Sequence, residues 1–213
     1  MKLIAFTTTL ALLAATILLL AAEVVVARSS SETHLFQRAE VPEGYTITPL
    51  LMTGTINGIA VNHTGTVEEV FAQLEVENPG FAHSLASTAA RSDDASYEKR
   101  FMTDVNCIPV QGQNWQRADE VVIGQGIQYL RDNHLTCWVG AHSCVRVSCS
   151  YNAAIYLCNN NAFRLGPACQ VIADYAQALR TKCYYTDGFN DSTCGGQAWD
   201  INNWNVCVYK DKC

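Results

Sequence analysis

The sequence predicts an α+β fold: a small disulfide-rich two-layer α/β sandwich of order α-β-β-α-β-β with an antiparallel sheet, preceded by a signal peptide and an acidic β-β-α propeptide. Three observations predict it. All ten cysteines and all four tryptophans of the 213-residue chain lie at or after Cys107. Helical and alternating apolar patterns succeed one another through that same half. The chain also opens on an apolar run, from Leu3 to Ala22, behind a single basic residue, Lys2.

Residues 1–27 read as a signal peptide. Val25 and Ala27 stand at the −3 and −1 positions of a signal-peptidase site before Arg28. A retained anchor is the alternative, because about 20 apolar residues span a bilayer. An even number of cysteines and the sequons at Asn62 and Asn190 favour the secretory route. No second hydrophobic run of spanning length follows, so no stable transmembrane span is expected after signal removal.

Residues 28–100 read as a propeptide. They hold no cysteine and carry ten acidic against five basic residues. The segment ends on the dibasic pair Lys99-Arg100, which suits a kexin-type processing protease. Within it, residues 45–55 are β-rich and Asn57-Gly58 is a hairpin signal. Thr66 and Glu69 form a capping-box pattern. Val67, Val70, Phe71 and Leu74 share one helical face, and Asn78-Pro79-Gly80 stops the helix. The segment from Met52 through Thr66 to Pro79 resembles pro-regions of fungal secreted cysteine-rich proteins.

Residues 101–213 read as the mature cysteine-rich domain. Nine acids and eight bases leave it nearly neutral. A formal charge of −6 for the whole chain argues against a nucleic-acid partner. Residues 117–133 look helical through Ile123, Ile127 and Leu130, although Gly124 and Gly126 weaken the pattern. Residues 143–150 alternate as a strand, and residues 153–158 follow after a turn at 150–152. Gly166-Pro167 opens a second helix, striped by Ala168, Ile172, Tyr175, Ala176, Leu179 and Cys183. Residues 184–193 read as a polar loop. Residues 197–201 and 204–210 read as a terminal hairpin across Asn202-Asn203.

The cysteines Cys107, Cys137, Cys144, Cys149, Cys158, Cys169, Cys183, Cys194, Cys207 and Cys213 never give a C-x-x-C, which argues against zinc. Five disulfides are expected, with no metal and no cofactor. The connectivity is open, since ten cysteines allow about 945 pairings. Cys144 and Cys149 have opposite strand parity, so they are not expected to pair.

No G-x-S-x-G, H-E-x-x-H or phosphate-cradling glycine loop occurs. A ribonuclease would draw on His134, His142, Glu120 and Arg146 for acid/base work and phosphate charge, but each of these also reads as an ordinary surface or structural residue. Trp115, Trp138, Trp199 and Trp204 are core or cross-strand packing or, if exposed, a stacking platform. Trp199 and Trp204 are expected to pair across the terminal hairpin. With Asn159, Asn160 and Asn161 they form the candidate recognition surface.

From Cys144 to Asn159 the chain reads C-V-R-V-S-C-S-Y-N-A-A-I-Y-L-C-N. This resembles a group of fungal small secreted proteins. Those also share a later helix ending in cysteine, matched by residues 172–183, and a terminal strand pair, matched by Gly195-Gly196-Gln197 and Asn205-Val206. More distantly, the helix–sheet order is similar to the smut-fungus killer toxins and the related necrosis-inducing effectors. The killer toxins' lysine-centred motif has no counterpart here. The resemblance implies a secreted, extracellular, non-enzymatic effector or toxin-like protein. Its target would be a host protein, a membrane protein or a cell-wall glycan. A carbohydrate-binding module and a small secreted hydrolase are the alternatives.

Overall fold

A computed structural model describes residues 45–81, 101–131, 133–188 and 191–213. Ala27, Lys99, Arg100 and Asn190 lie outside the described residues. The N-terminal strands are β1 (Thr46–Thr48), β2 (Leu51–Ile56) and β3 (Ile59–Thr64), followed by helix α1 (Val67–Glu77). The cysteine-rich part contributes β4 (Met102–Cys107), β5 (Ala118–Asp119), α2 (Glu120–Arg131), β6 (Thr136–Trp138), β7 (Ser143–Ser150) and β8 (Ala153–Asn159). It closes with α3 (Cys169–Lys182), β9 (Tyr185–Thr186), β10 (Ser192–Cys194), β11 (Gly196–Asp200) and β12 (Trp204–Lys210).

The main sheet has the order β1-β7-β8-β12-β11-β4. Its strands from the cysteine-rich part, β7, β8, β12, β11 and β4, pair antiparallel as expected, and β1 of the N-terminal segment joins β7 in parallel and makes the sheet mixed. Two three-stranded sheets, β3-β2-β6 and β5-β10-β9, complete the strands. The expected α-β-β-α-β-β order holds for α2, β7, β8, α3, β11 and β12. It omits β4, β5 and β6, and it takes the segment containing β9 and β10 for a loop. Among the described residues no helix is long and apolar enough to cross a membrane.

Local chemistry explains the helix ends. In α1 the Thr66 side chain accepts from the Glu69 N–H, while Glu69 accepts from the Thr66 N–H, so the capping box forms. Its apolar face Val67, Val70, Phe71 and Leu74 is buried, as the periodicity requires. The Asp119 carboxylate accepts from the N–H groups of Val121 and Val122 and starts α2. Asn133 ends it: its amide donates to the Tyr129 and Leu130 carbonyls, and its oxygen accepts from the Leu135 N–H. Helix α3 has no side-chain cap. Instead, Cys137–Cys169 ties its first residue and Cys107–Cys183 ties the residue at its end.

The turns follow the same logic. Asn57 and Gly58 take φ of 50° and 83°, as a two-residue hairpin demands. Tyr151 and Asn152, at 46° and 63°, do the same between β7 and β8.

The described residues cluster as one unit. The described N-terminal segment therefore packs with the cysteine-rich part. Helices α2 and α3 cover one face of the main sheet, where Val145, Val147, Ile155, Leu157, Val206 and Val208 meet Ile123, Ile127, Ile172 and Leu179. The opposite face carries a second, smaller core of Ile108, Trp115, Cys144, Ala154, Tyr156, Cys158, Cys207 and Tyr209.

A bulge interrupts β7 between Arg146 and Ser148. It turns Val147 and Ser148 toward the helices and returns Cys149 to the second core beside Cys144. Cys144 and Cys149 thus share a face, against the parity expectation. Each still bonds elsewhere, to Cys158 and Cys213.

Gly126 sits where α2 crosses this bulge. A Cβ there would collide with the Ser148 hydroxyl. Gly126→Ala is expected to destabilise the fold by about 1–3 kcal/mol through overpacking, despite alanine's higher helix propensity. A urea titration of both proteins checks this.

Candidate functional site

The face of the main sheet opposite α2 and α3 carries polar and aromatic side chains in cross-strand rows. One row runs Arg146, Tyr156, Cys207, Gln197, Asn106 across β7, β8, β12, β11 and β4. The next runs Cys144, Cys158, Asn205, Trp199. Gln197 Nε2 donates to Asn205 Oδ1 at 3.1 Å, and the Cys207 thiol donates to the same oxygen at 3.1 Å. Asn205 Nδ2 in turn reaches Asn160 Oδ1 at 3.5 Å. Tyr45 packs against this layer from the N-terminal segment.

Beside the amides, Trp115, Tyr209 and Tyr156 stack in sequence, with centroids 4.5 and 5.1 Å apart. The Tyr156 hydroxyl donates to buried Asp211 at 2.5 Å. Burial, then the hydrogen bond to and charge of Asp211, push the Tyr156 phenol well above its usual range. Burial does the same to Tyr209.

Four disulfides form: Cys107–Cys183, Cys137–Cys169, Cys144–Cys158 and Cys149–Cys213. The fifth expected bridge does not. Cys194 and Cys207 are both free and buried. Cys207 alternates with Val206 and Val208, so it faces the second core, whereas Cys194 lies in the core beneath the helices. The sheet stands between them. Burial raises the Cys207 thiol strongly. Burial, then the Glu120 charge, push the Cys194 thiol up to about 12. Both thiols therefore stay protonated at neutral pH and make poor nucleophiles.

The expected recognition residues separate. Trp204 is 6% exposed and packs on Tyr175 at 4.8 Å beneath the sheet. Trp199 lies half-buried on the other face. The turn spans Ile201, Asn202 and Asn203, so Trp204 pairs with Asp200 and Trp199 with Asn205. One residue more in the turn than expected reverses the parity, and the two tryptophans never meet. Asn159 is fully buried. Its Nδ2 donates to the Gly140 and Phe163 carbonyls, and its Oδ1 accepts from the Asn161 N–H. Asn161 Nδ2 donates to the Asn202 and Asn203 carbonyls at 2.9 and 3.2 Å. The asparagine run stitches two loops together, with Asn159 buried and Asn160 and Asn161 half-buried. The tendency of asparagine to bond backbone two residues on is the signal that points to this role.

The stitched loops present what sequence reading missed. Phe163 and Ile201, each 64% exposed, stand on them at one end of the sheet.

The acid/base candidates are not brought together. Glu120 begins α2, where it pairs with Arg180 at 2.5 Å and accepts from Ser192. His134 lies beyond the other end of that helix, its Nδ1 3.2 Å from Gln170. Arg146 is on the opposite face of the sheet and donates to the Lys212 carbonyl at 2.9 Å. His142 is exposed in the turn before β7. Asn62 is exposed on β3, accessible to a glycan. Trp138 donates to Thr53 Oγ1 at 2.8 Å and lies under the Arg164 guanidinium. Among the described residues, no three His, Cys, Asp or Glu side chains gather as a metal site would require.

Comparison with protein-family models, with curated proteins and with solved structures finds no match.

Two outcomes follow from this geometry. Trp204→Ala is expected to cost about 3–5 kcal/mol, and Trp199→Ala clearly less, measured by urea unfolding. The Cys194 thiol ionises near 9 when unfolded and near 12 when folded. Its share of stability is complete below pH 9 and is lost as pH rises toward 12. The denaturation midpoint should therefore fall between about pH 8 and about pH 10.5, and less steeply in Cys194→Ala.

Proposed function

We propose that the protein is an effector or toxin-like molecule, secreted and processed, that acts without catalysis by binding a target on another organism or at a cell surface. Its four disulfides mark it as an extracellular, disulfide-stabilised protein. The observation that carries the binding reading is the stitched loop end with exposed Phe163 and Ile201. Large apolar side chains on loops already fixed by hydrogen bonds lose little entropy on docking. They are suited to seat in a partner's pocket as energetic anchors. The resemblance of residues 144–159 to fungal secreted proteins agrees with this role.

Purified protein applied to plant tissue and to competitor fungi tests the reading. A response is expected that drops at least about tenfold in the Phe163→Ala, Ile201→Ala double variant, with the thermal midpoint unchanged. No response across several hosts and doses would count against it.

A cell-wall glycan is the second reading. It is favoured by the half-buried indole of Trp199, since an aromatic face suits a sugar ring. Retention on chitin or glucan, lost in Trp199→Ala, would support it.

A further inference from the structure

We infer that residues 45–81 are a standing subunit of the folded protein, so that a cut after Arg100 leaves two chains held together without a covalent link. The processing reading supplies the biological setting; the inference itself stands on the packing.

Strand β1 lies parallel along β7 and satisfies what would otherwise be the edge of the main sheet. Strand β2 pairs with β6 through Leu51, Met52 and Thr53. Nine apolar side chains of the segment are buried: Leu50, Met52, Ile56, Val61, the four of the α1 face, and Phe81. They belong to the same core as α2, α3 and the main sheet. The Phe71 ring meets Tyr129 of α2 edge-on at 5.7 Å.

Polar contacts fix the register. The Glu68 carboxylate accepts from the Ser148 hydroxyl and, at 3.2 Å, from the Cys149 N–H, both at the β7 bulge. Thr53 accepts from the Trp138 indole. A Cβ on Gly54 would lie 2.9 Å from the Leu135 side chain, which measures how closely the two parts fit. Removing the segment would expose that apolar surface and leave β7 unpaired along one side, an aggregation hazard. No cysteine precedes Cys107, so once the main chain is cut nothing covalent joins the parts.

The test cuts the full secreted chain with a kexin-type protease and follows it by size exclusion and native mass spectrometry. If the bond after Arg100 resists, a cleavage sequence inserted between residues 92 and 98 supplies the cut. A single species containing both chains is expected. It should resolve into two on a denaturing gel run without reductant. Elution of the N-terminal chain by itself would overturn the inference, whether the remainder stays folded or precipitates.

Two variants test the interface. Val70→Asp places a charge in the buried α1 face and should weaken retention at least about tenfold after the cut. Val76 is 82% exposed on the same helix, so Val76→Asp should retain the segment as the parent does. Equal behaviour of the two variants would contradict the inference. Neither result depends on whether the protein elicits a response in tissue.

Discussion

Strand β8 is buried on both faces along all seven of its residues, and β12 along six of its seven. A strand pair in that position cannot expose either face to water, so it must be covered twice. Helices α2 and α3 cover one side with aliphatic side chains. Among the described residues no helix covers the other side, and aromatic rings, two cystines and a line of amides close it instead. Much else in the molecule answers this requirement. Loop 108–117 brings Trp115 onto Tyr209, the C-terminal tail brings Asp211 to Tyr156, and Cys149–Cys213 holds that tail in place.

Polar groups are costly to bury, and most of those on the second face are paired. Gln197, Asn205 and Cys207 share one oxygen, and the Tyr156 hydroxyl donates a hydrogen bond to Asp211. Such a layer holds the sheet in one arrangement and leaves its loops as the free surface. The disulfides divide the remaining work. Two clamp the ends of the uncapped helix α3, one joins β7 to β8, and one fixes the tail. Each contributes about 2–4 kcal/mol by restricting the unfolded chain.

Elements written into adjacent residues were legible in the sequence. The capping box at Thr66 and Glu69, the Asn57-Gly58 turn, the α1 stripe and the 143–159 hairpin all follow from spacing alone. What depends on distant partners was not. Strands β4, β6, β9 and β10 exist because a neighbour far along the chain offers hydrogen bonds. The parallel docking of β1 is of the same kind. Parity carried the largest errors. One bulge at Arg146–Ser148 placed Cys149 on the face of Cys144, and one extra turn residue at 201–203 sent Trp204 to the opposite face from Trp199. The two glycines that weaken the helical pattern of α2 are close approaches, Gly126 to Ser148 and Gly124 to the Arg180 guanidinium. The asparagine run bonds the two loops that carry Phe163 and Ile201, a role set by partners 41 and 42 residues along the chain.

The two-faced sheet is the central claim, and the pairing state of the cysteines tests it most directly. The protein would be unfolded without reductant, alkylated, digested and mapped by mass spectrometry. Two alkylated positions are expected, Cys194 and Cys207, with the other eight cysteines in the four bridges described. A chain with no alkylated cysteine and a Cys194–Cys207 bridge would place both sulfurs on one side of β12, and the division of the core into two faces would be wrong.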